Sequence, residues 1–178
     1  MYYFKQGLRG SSFEELINMT NEVYENKKLA IIQKIPTPIT PVNFDKASKS
    51  ITLAYFDQKS TVDYIGVVQG IPVAFDAKET AQKSLPLQNI HEHQIKFMEN
   101  FVQQGGLAFI LVHFSQYKEY YLLEFDRLKK AWDNAKAGER KSIPYDQFRK
   151  EMMVPIQGIY INYLEAIKKL IEEENAKI

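Results

Sequence analysis

The stretch TVDYIGVVQGIPVAFDAK, residues 61–78, decides how this chain folds. Two runs of apolar and β-branched residues, Tyr64–Val68 and Ile71–Ala77, flank Gln69-Gly70, a dipeptide suited to a two-residue hairpin turn. A regular antiparallel hairpin closed at that turn sets Val68 opposite Ile71 and Asp63 opposite Asp76. Directly opposed residues share a face, so the two carboxylates stand with Cβ atoms roughly 4.5–5.5 Å apart and repel unless something positive lies between them. A divalent cation is the usual remedy. Lys78, two residues beyond Asp76, projects from the same face roughly 6.6 Å further along. Val73, Phe75 and Ala77 alternate onto the other face, where a core would take them. A bulge would break this register.

Composition sets the frame around the hairpin. With 178 residues the chain reads as one domain, 1–178, large enough to bury a core. A hydrophobic content of 45% and a charged content of 25% are ordinary for a soluble globular protein. Cysteine is absent, which excludes disulfides, thiolate chemistry and cysteine-ligated zinc. MYYFKQGLRG at the start lacks a basic residue followed by a long apolar run, and no later segment is apolar enough to span a bilayer; a cytoplasmic protein is expected. A net charge of +1 does not mark a nucleic-acid binder by itself, so affinity for phosphate has to come from local clusters. Neither GxxxxGK nor G-x-S-x-G occurs, which argues against an NTPase and an α/β-hydrolase.

Upstream of the hairpin, Gly10 precedes Ser11-Ser12-Phe13-Glu14-Glu15, in which each serine has a glutamate three residues on, the pattern of a capping box. A helix from there to about Asn26 carries Phe13, Leu16, Ile17, Thr20 and Tyr24 on its core face. Glu14, at the edge of that stripe, is the carboxylate better placed to look inward; a cap at the helix start is the other reading. Leu29–Ile35 reads as a strand, cut off by Pro36, Pro38 and Pro41, which enforce an extended backbone unable to pair inside a central sheet. From Pro36 to Phe56 the pattern is either a protruding arm or an ordinary surface loop. The arm would have an extended limb, a polar turn over Asp45–Ser50 bearing Lys46 and Lys49, and a returning limb ITLAYF.

Downstream, KETAQKSLPLQN reads as a polar connection bearing Lys83, and Asn89 with Glu92 three residues on marks a helix start. Gln94, Phe97, Met98 and Phe101 share one face of that helix, so the Gln94 amide needs a specific partner, either backbone or the paired carboxylates. His91 and His93 flank Glu92, but residues two apart on a helix diverge by roughly 200° and cannot grip one ion. Leu107–Phe114 and Glu119–Phe125 read as strands around Ser115-Gln116, and Phe125–Ala135 as a helix using Leu128 and Trp132. A charged loop with Gly138 follows, then a short helix over Asp146–Met153. The amphipathic Ile161–Glu174, through Leu164, Ile167, Leu170 and Ile171, is the kind of helix that covers a sheet or a partner subunit.

Two opposed acidic residues with a lysine one strand-repeat further suit metal-dependent phosphodiester hydrolysis, and hard oxygen ligands suit Mg²⁺ or Mn²⁺ rather than zinc. Taken bare, D-x12-D-x-K also fits a solvated hairpin face with an ion pair. The set RGSSFEELINMTN (9–21), KIPTP (34–38), STVDYIG (60–66), FDAKET (75–80) and LPLQNIHEHQ (85–94), in that order, resembles the RecU family of Holliday junction resolvases, within the PD-(D/E)xK nuclease superfamily. The likeness extends over nearly the whole chain.

This resemblance implies a restriction-endonuclease-like α/β fold, a mixed β-sheet flanked by helices, with the proline-flanked segment of about 36–56 as a stalk-like arm. It implies a homodimer whose two sites each nick one strand of a four-way DNA junction, leaving 5′-phosphate ends, in recombination and repair. Matched residue by residue, Thr61, Asp63, Asp76 and Gln94 take the magnesium-binding positions, Lys78 that of the transition-state-stabilising lysine, and Glu14 that of the superfamily's helix-start glutamate. Arg9, Lys34, Lys46, Lys49 and Lys83 are the candidate DNA contacts, and recombination proteins are a further class of partner. Position 76 is usually glutamate in this family, and Val62 stands where the superfamily has proline. The short basic N-terminus implies weaker nonspecific DNA affinity than in relatives. Competing readings are a nuclease of the same fold acting on other DNA structures and an inactive junction-binding regulator.

Overall fold

The computed structural model describes residues 11–56 and 61–175. In chain order the elements are α1 (Ser11–Asn26), β1 (Ala30–Lys34), β2 (Ile39–Asp45), β3 (Ser50–Phe56), β4 (Tyr64–Val68), β5 (Ile71–Thr80), β6 (Ser84–Pro86), α2 (Glu92–Gln103), β7 (Leu107–Phe114), β8 (Glu119–Glu124), α3 (Phe125–Lys136), β9 (Ser142–Pro144), β10 (Met153–Val154), β11 (Ile156–Gln157), β12 (Tyr160–Ile161) and α4 (Tyr163–Asn175). Six strands form the central sheet in the order β1-β4-β5-β7-β8-β10, antiparallel except for the parallel β5–β7 pair.

The hairpin at the centre of the sequence has the register its turn dictates, with Val68 opposite Ile71 and Tyr64 opposite Phe75. Gln69 and Gly70 both take positive φ (50° and 89°), the combination that lets a two-residue turn follow the twist of its strands. Gly66 is required for a different reason: a Cβ there would overlap the Ile31 carbonyl oxygen of the neighbouring strand. Period-two alternation then divides the core. Tyr64, Val73, Phe75 and Phe109 face α1 and α4, where Phe13, Ile17, Tyr24, Ala166, Ile167 and Leu170 cover them. Ala74, Ile110, Val112 and Leu123 face α2 and α3, under Ile95, Met98 and Leu128. The strand β7 is covered on both sides, which is why its sequence, LAFILVHF, is nearly continuous in apolar residues.

The segment with the alternating prolines is an extended limb, a turn and a returning limb. The strands β2 and β3 pair only with each other, Ile39 opposite Phe56 and Asp45 opposite Ser50, with irregularities around Asn43. Every residue of β2 is exposed, and Pro41 is tolerated because a two-stranded ribbon has only edge strands. At the tip, Asp45 accepts from the Ala47 N–H (2.9 Å) and the Ser48 hydroxyl (2.5 Å), closing a turn in which Lys49 takes φ 52°.

Four local expectations are corrected. The connection after β5 is no simple polar linker: β5 runs on to Thr80, and β6 pairs with β9 before a 3₁₀ turn over Leu87–Asn89. Asn89 therefore lies in that turn, and α2 starts from His91 instead. Because His91 is extended ahead of the helix, its ring stacks on that of His93 (centroids 5.4 Å apart) rather than diverging from it. The short helix expected over 146–153 is two 3₁₀ turns, Tyr145–Gln147 and Lys150–Met152, separated where Phe148 turns into the core. The capping expectation at Ser11 and Ser12 involves residues at the edge of the described chain, and Gly10 lies outside it. Among the described residues, no helix is long and apolar enough to cross a membrane.

Candidate active site

The Tyr64–Phe75 pair is the last rung of the β4–β5 ladder, and just beyond it Asp63 and Asp76 converge. Asp63 precedes the strand in a bend, and its Oδ2 accepts from the Ala77 N–H at 2.9 Å, which turns the carboxylate toward β5 instead of out to solvent. Asp76 is fully buried on the α2 face of the sheet. Its Oδ1 accepts from Gln94 Nε2 at 3.0 Å, while its Oδ2 forms an ion pair with Lys78 Nζ, two residues along the same face. Parity along one strand puts Lys78 beside Asp76, as the alternation requires.

Crowding two carboxyls in a partly buried site has an electrostatic consequence. Burial first, and then the hydrogen bond to Asp76 and its charge, push the Asp63 carboxyl from its usual 3.8 up to about 7, against the opposing pull of the Ala77 N–H and Lys78. Asp76 Oδ2 is buried without a well-directed hydrogen bond, although the Lys78 ammonium lies against it. A buried carboxylate oxygen held against a lysine ammonium, next to a second carboxyl whose pKa is raised, offers hard oxygen donors of the kind a divalent cation takes, although among the described residues no cluster of three or more acidic or histidine side chains forms. Thr61 stands two residues before Asp63, partly exposed. Gln94 reaches the site through Asp76: its Oε1 accepts from the His91 N–H (3.0 Å), so one amide both caps α2 and orients the carboxylate. Both partners considered for this glutamine, backbone and carboxylate, are present.

Glu14 lies on the first turn of α1, and its Oε2 pairs with Lys34 Nζ at 2.5 Å. Lys34 is the ladder partner of Tyr64, and the Asp63 carbonyl accepts from the Ile35 N–H (2.8 Å), so the start of α1, the end of β1 and Asp63 are tied together. Of the candidate DNA contacts, Lys46 and Lys49 are exposed at the tip of the β2–β3 ribbon, Lys83 is exposed after β5, and Lys34 is engaged by Glu14. Arg9 lies outside the described residues. Sequence reasoning missed Tyr64 as more than strand filler, and missed Asn18, whose side-chain oxygen accepts from the Tyr64 hydroxyl at 3.0 Å. The available signal was position, since Tyr64 directly follows Asp63 and Asn18 lies one turn after Glu14.

A mixed sheet flanked by four helices, with paired acids and a lysine at the open end of a central hairpin, defines a nuclease-like α/β protein. The family model described as Recombination protein U matches residues 8–169, and the chain belongs to that family. Among its relatives are the Holliday junction resolvase RecU of Oenococcus oeni, 44% identical over 93% of this chain and 87% of that protein, and that of Lactococcus lactis, 46% identical over 93% and 80%. The protein of the same name from Oceanobacillus iheyensis is 44% identical over 91% and 86%.

Proposed function

We propose that this protein is a metal-dependent endonuclease that resolves four-way DNA junctions by paired, symmetric nicks, leaving 5′-phosphate ends, in recombination and repair. The observation that carries the reading is the convergence of Asp63 and Asp76 with Lys78 alongside, in a chain whose family relatives bear the name Holliday junction resolvase. Asp63, Asp76 and Thr61 would hold Mg²⁺ or Mn²⁺, with Gln94 fixing the orientation of Asp76. Held there, such an ion would supply Lewis-acid polarisation of the scissile phosphate and a lowered pKa for an attacking water.

The chain's own groups do the rest. Lys78 presents a cation to the negative charge on the phosphoryl oxygens during displacement, a contribution of about 10²–10³ in rate for a single preorganised donor. Glu14, held by its ion pair with Lys34 at the start of α1, would be the helix-side carboxylate that the resemblance implies. Aspartate at 76, where the family usually has glutamate, offers a shorter side chain that would hold a cation closer to the strand. A homodimer would supply two such sites related by a two-fold axis, matching the two strands to be cut. The exposed β2–β3 ribbon, with Lys46 and Lys49 at its tip, would enter the junction, while Arg9, Lys34 and Lys83 contact flanking phosphates. Such work on DNA places the protein in the cytoplasm, where recombination proteins are a further class of partner.

The test is a labelled four-way junction incubated with and without Mg²⁺, beside matched duplex. Asp76→Ala should abolish nicking while junction binding in Ca²⁺ persists; cleavage surviving that change means the site is wrong.

A further inference from the structure

A groove between the start of α2 and the end of α3 is not used by the paired carboxylates. Leu87 and Ile90, from the turn ahead of α2, and Trp132 and Ala135, from α3, supply its apolar lining. Its volume is about 430 Å³, within the range of roughly 300–1,000 Å³ that ligand pockets occupy. Three contacts frame it. The Leu87 N–H donates to the Lys141 carbonyl oxygen (3.0 Å), which ties the turn to the loop after α3. Glu92 on α2 and Lys136 on α3 form an ion pair from one helix to the other. The Lys136 ammonium also lies 5.6 Å from the centre of the Trp132 ring.

Trp132 is only partly covered, and its indole N–H has no acceptor among the described residues. A tryptophan that offers both an apolar ring and an unused donor is the kind of side chain that anchors protein–protein contacts. The charges around it are uneven. Lys136 is committed to Glu92, whereas the exposed ammonium of Lys141 has no carboxylate partner among the described residues. His91 brings in the N-terminal end of α2, whose free backbone N–H groups carry partial positive charge. One unpaired ammonium beside an apolar floor suits a carboxylate that neighbours an apolar side chain. A DNA strand needs a row of unpaired cations along its phosphates, and this groove does not offer one.

We propose that this groove is a docking site for an acidic peptide segment of a partner protein, which seats a bulky apolar side chain against Trp132 and sets a carboxylate on Lys141. Such docking is independent of the nuclease reading. Trp132 is the only tryptophan in the chain, so its emission reports on the groove alone. Titrating the full-length protein, without DNA or metal, with a short peptide of aspartates ending in phenylalanine should change that emission saturably, with half-saturation on the order of 10–100 µM. Alanine in place of the peptide's phenylalanine should weaken binding about tenfold. Lys141→Glu in the protein should weaken it about fivefold. A peptide with lysines in place of the aspartates should leave the emission unchanged over the same concentrations.

No saturable change below about 1 mM of the acidic peptide overturns the inference. So does equal binding of the lysine peptide, or wild-type affinity in Lys141→Glu. An oligothymidylate of matching charge that shifts the emission as strongly gives the groove to DNA instead, and is equally fatal. If Lys141→Glu does not fold, the alanine and lysine peptides decide the matter on the unaltered protein. Because no step of the titration involves DNA cleavage, a protein that fails to cut junctions refutes the nuclease reading and leaves the peptide site to be judged by fluorescence.

Discussion

Replacing Asp63 with asparagine should stabilise the metal-free protein while destroying its activity. In the folded chain the Asp63 carboxyl titrates near 7 against an ordinary value of 3.8, so between those two limits the folded state holds a proton that the unfolded state has released. Stability therefore falls as pH rises through that window, and the full penalty is present above about pH 7. A displacement of about three pH units corresponds to roughly 4 kcal/mol at most. Because the surroundings of the charged carboxyl can relax, about 2–4 kcal/mol is the working range. The side-chain amide oxygen introduced by Asp63→Asn keeps an acceptor for the Ala77 N–H while the charge is removed.

For a chain of this size, about 2–4 °C of melting temperature per kcal/mol translates the range into a rise of roughly 4–16 °C near pH 8 in EDTA. Near pH 5 the wild-type carboxyl is largely protonated and the gain should shrink to a few degrees. Saturating Mn²⁺ should raise the wild-type melting temperature and leave Asp63→Asn almost unmoved, since a cation neutralises the same repulsion and binds only the folded protein. Thermal melts of both proteins at the two pH values, with and without Mn²⁺, check all of this. A variant no more stable than wild type at pH 8, or a gain of equal size at both pH values, would refute the account of the carboxylate pair.

Three further outcomes follow from other contacts. Gln94→Leu removes the donor to Asp76 and the acceptor for the His91 N–H together; unfolding free energy should drop by about 1–3 kcal/mol, measured by urea titration, and nicking should slow more than junction binding weakens. Arg149 bridges Glu124, only 7% exposed, and Glu173, so Arg149→Ala leaves the buried Glu124 with only the more distant Arg127, 4.0 Å away. That should cost about 1–3 kcal/mol, seen as a fall in melting temperature with metal affinity at the paired carboxylates unaltered. Replacing the β2–β3 ribbon with a short Gly/Ser link should shift the melting temperature by less than about 3 °C, because solvent-exposed residues contribute little to stability. Selectivity for four-way junctions over duplex, read by competition binding, should fall at least tenfold in the same variant; unchanged selectivity removes the ribbon from the DNA interface.

Period-two alternation around a turn that demands positive φ was enough to place Asp63, Asp76 and Lys78 together, because strand parity and turn geometry are local properties of the chain. The same holds for the helix faces: Phe13, Ile17 and Tyr24 in α1, and Ile167 and Leu170 in α4, are read from spacing alone. A lone amide on the apolar stripe of α2 signalled that Gln94 had a particular partner. Legible in these terms were the hairpin, the bodies of the four long helices and the central acids, but not the 3₁₀ turns over 145–152.

What tertiary structure alone decided is everything that joins segments distant in sequence. Nothing local tells that β6 finds β9, that α2 is capped from His91, or that Arg149 reaches Glu124 and Glu173. Nor does any pattern reveal that Lys34 and Tyr64, thirty residues apart, share a rung from which both reach α1. Alternation and helical period record which way a side chain points relative to its own backbone. Which partner it meets there depends on how the elements stack, and the altered titration of Asp63 exists only after that stacking has drawn two like charges out of water.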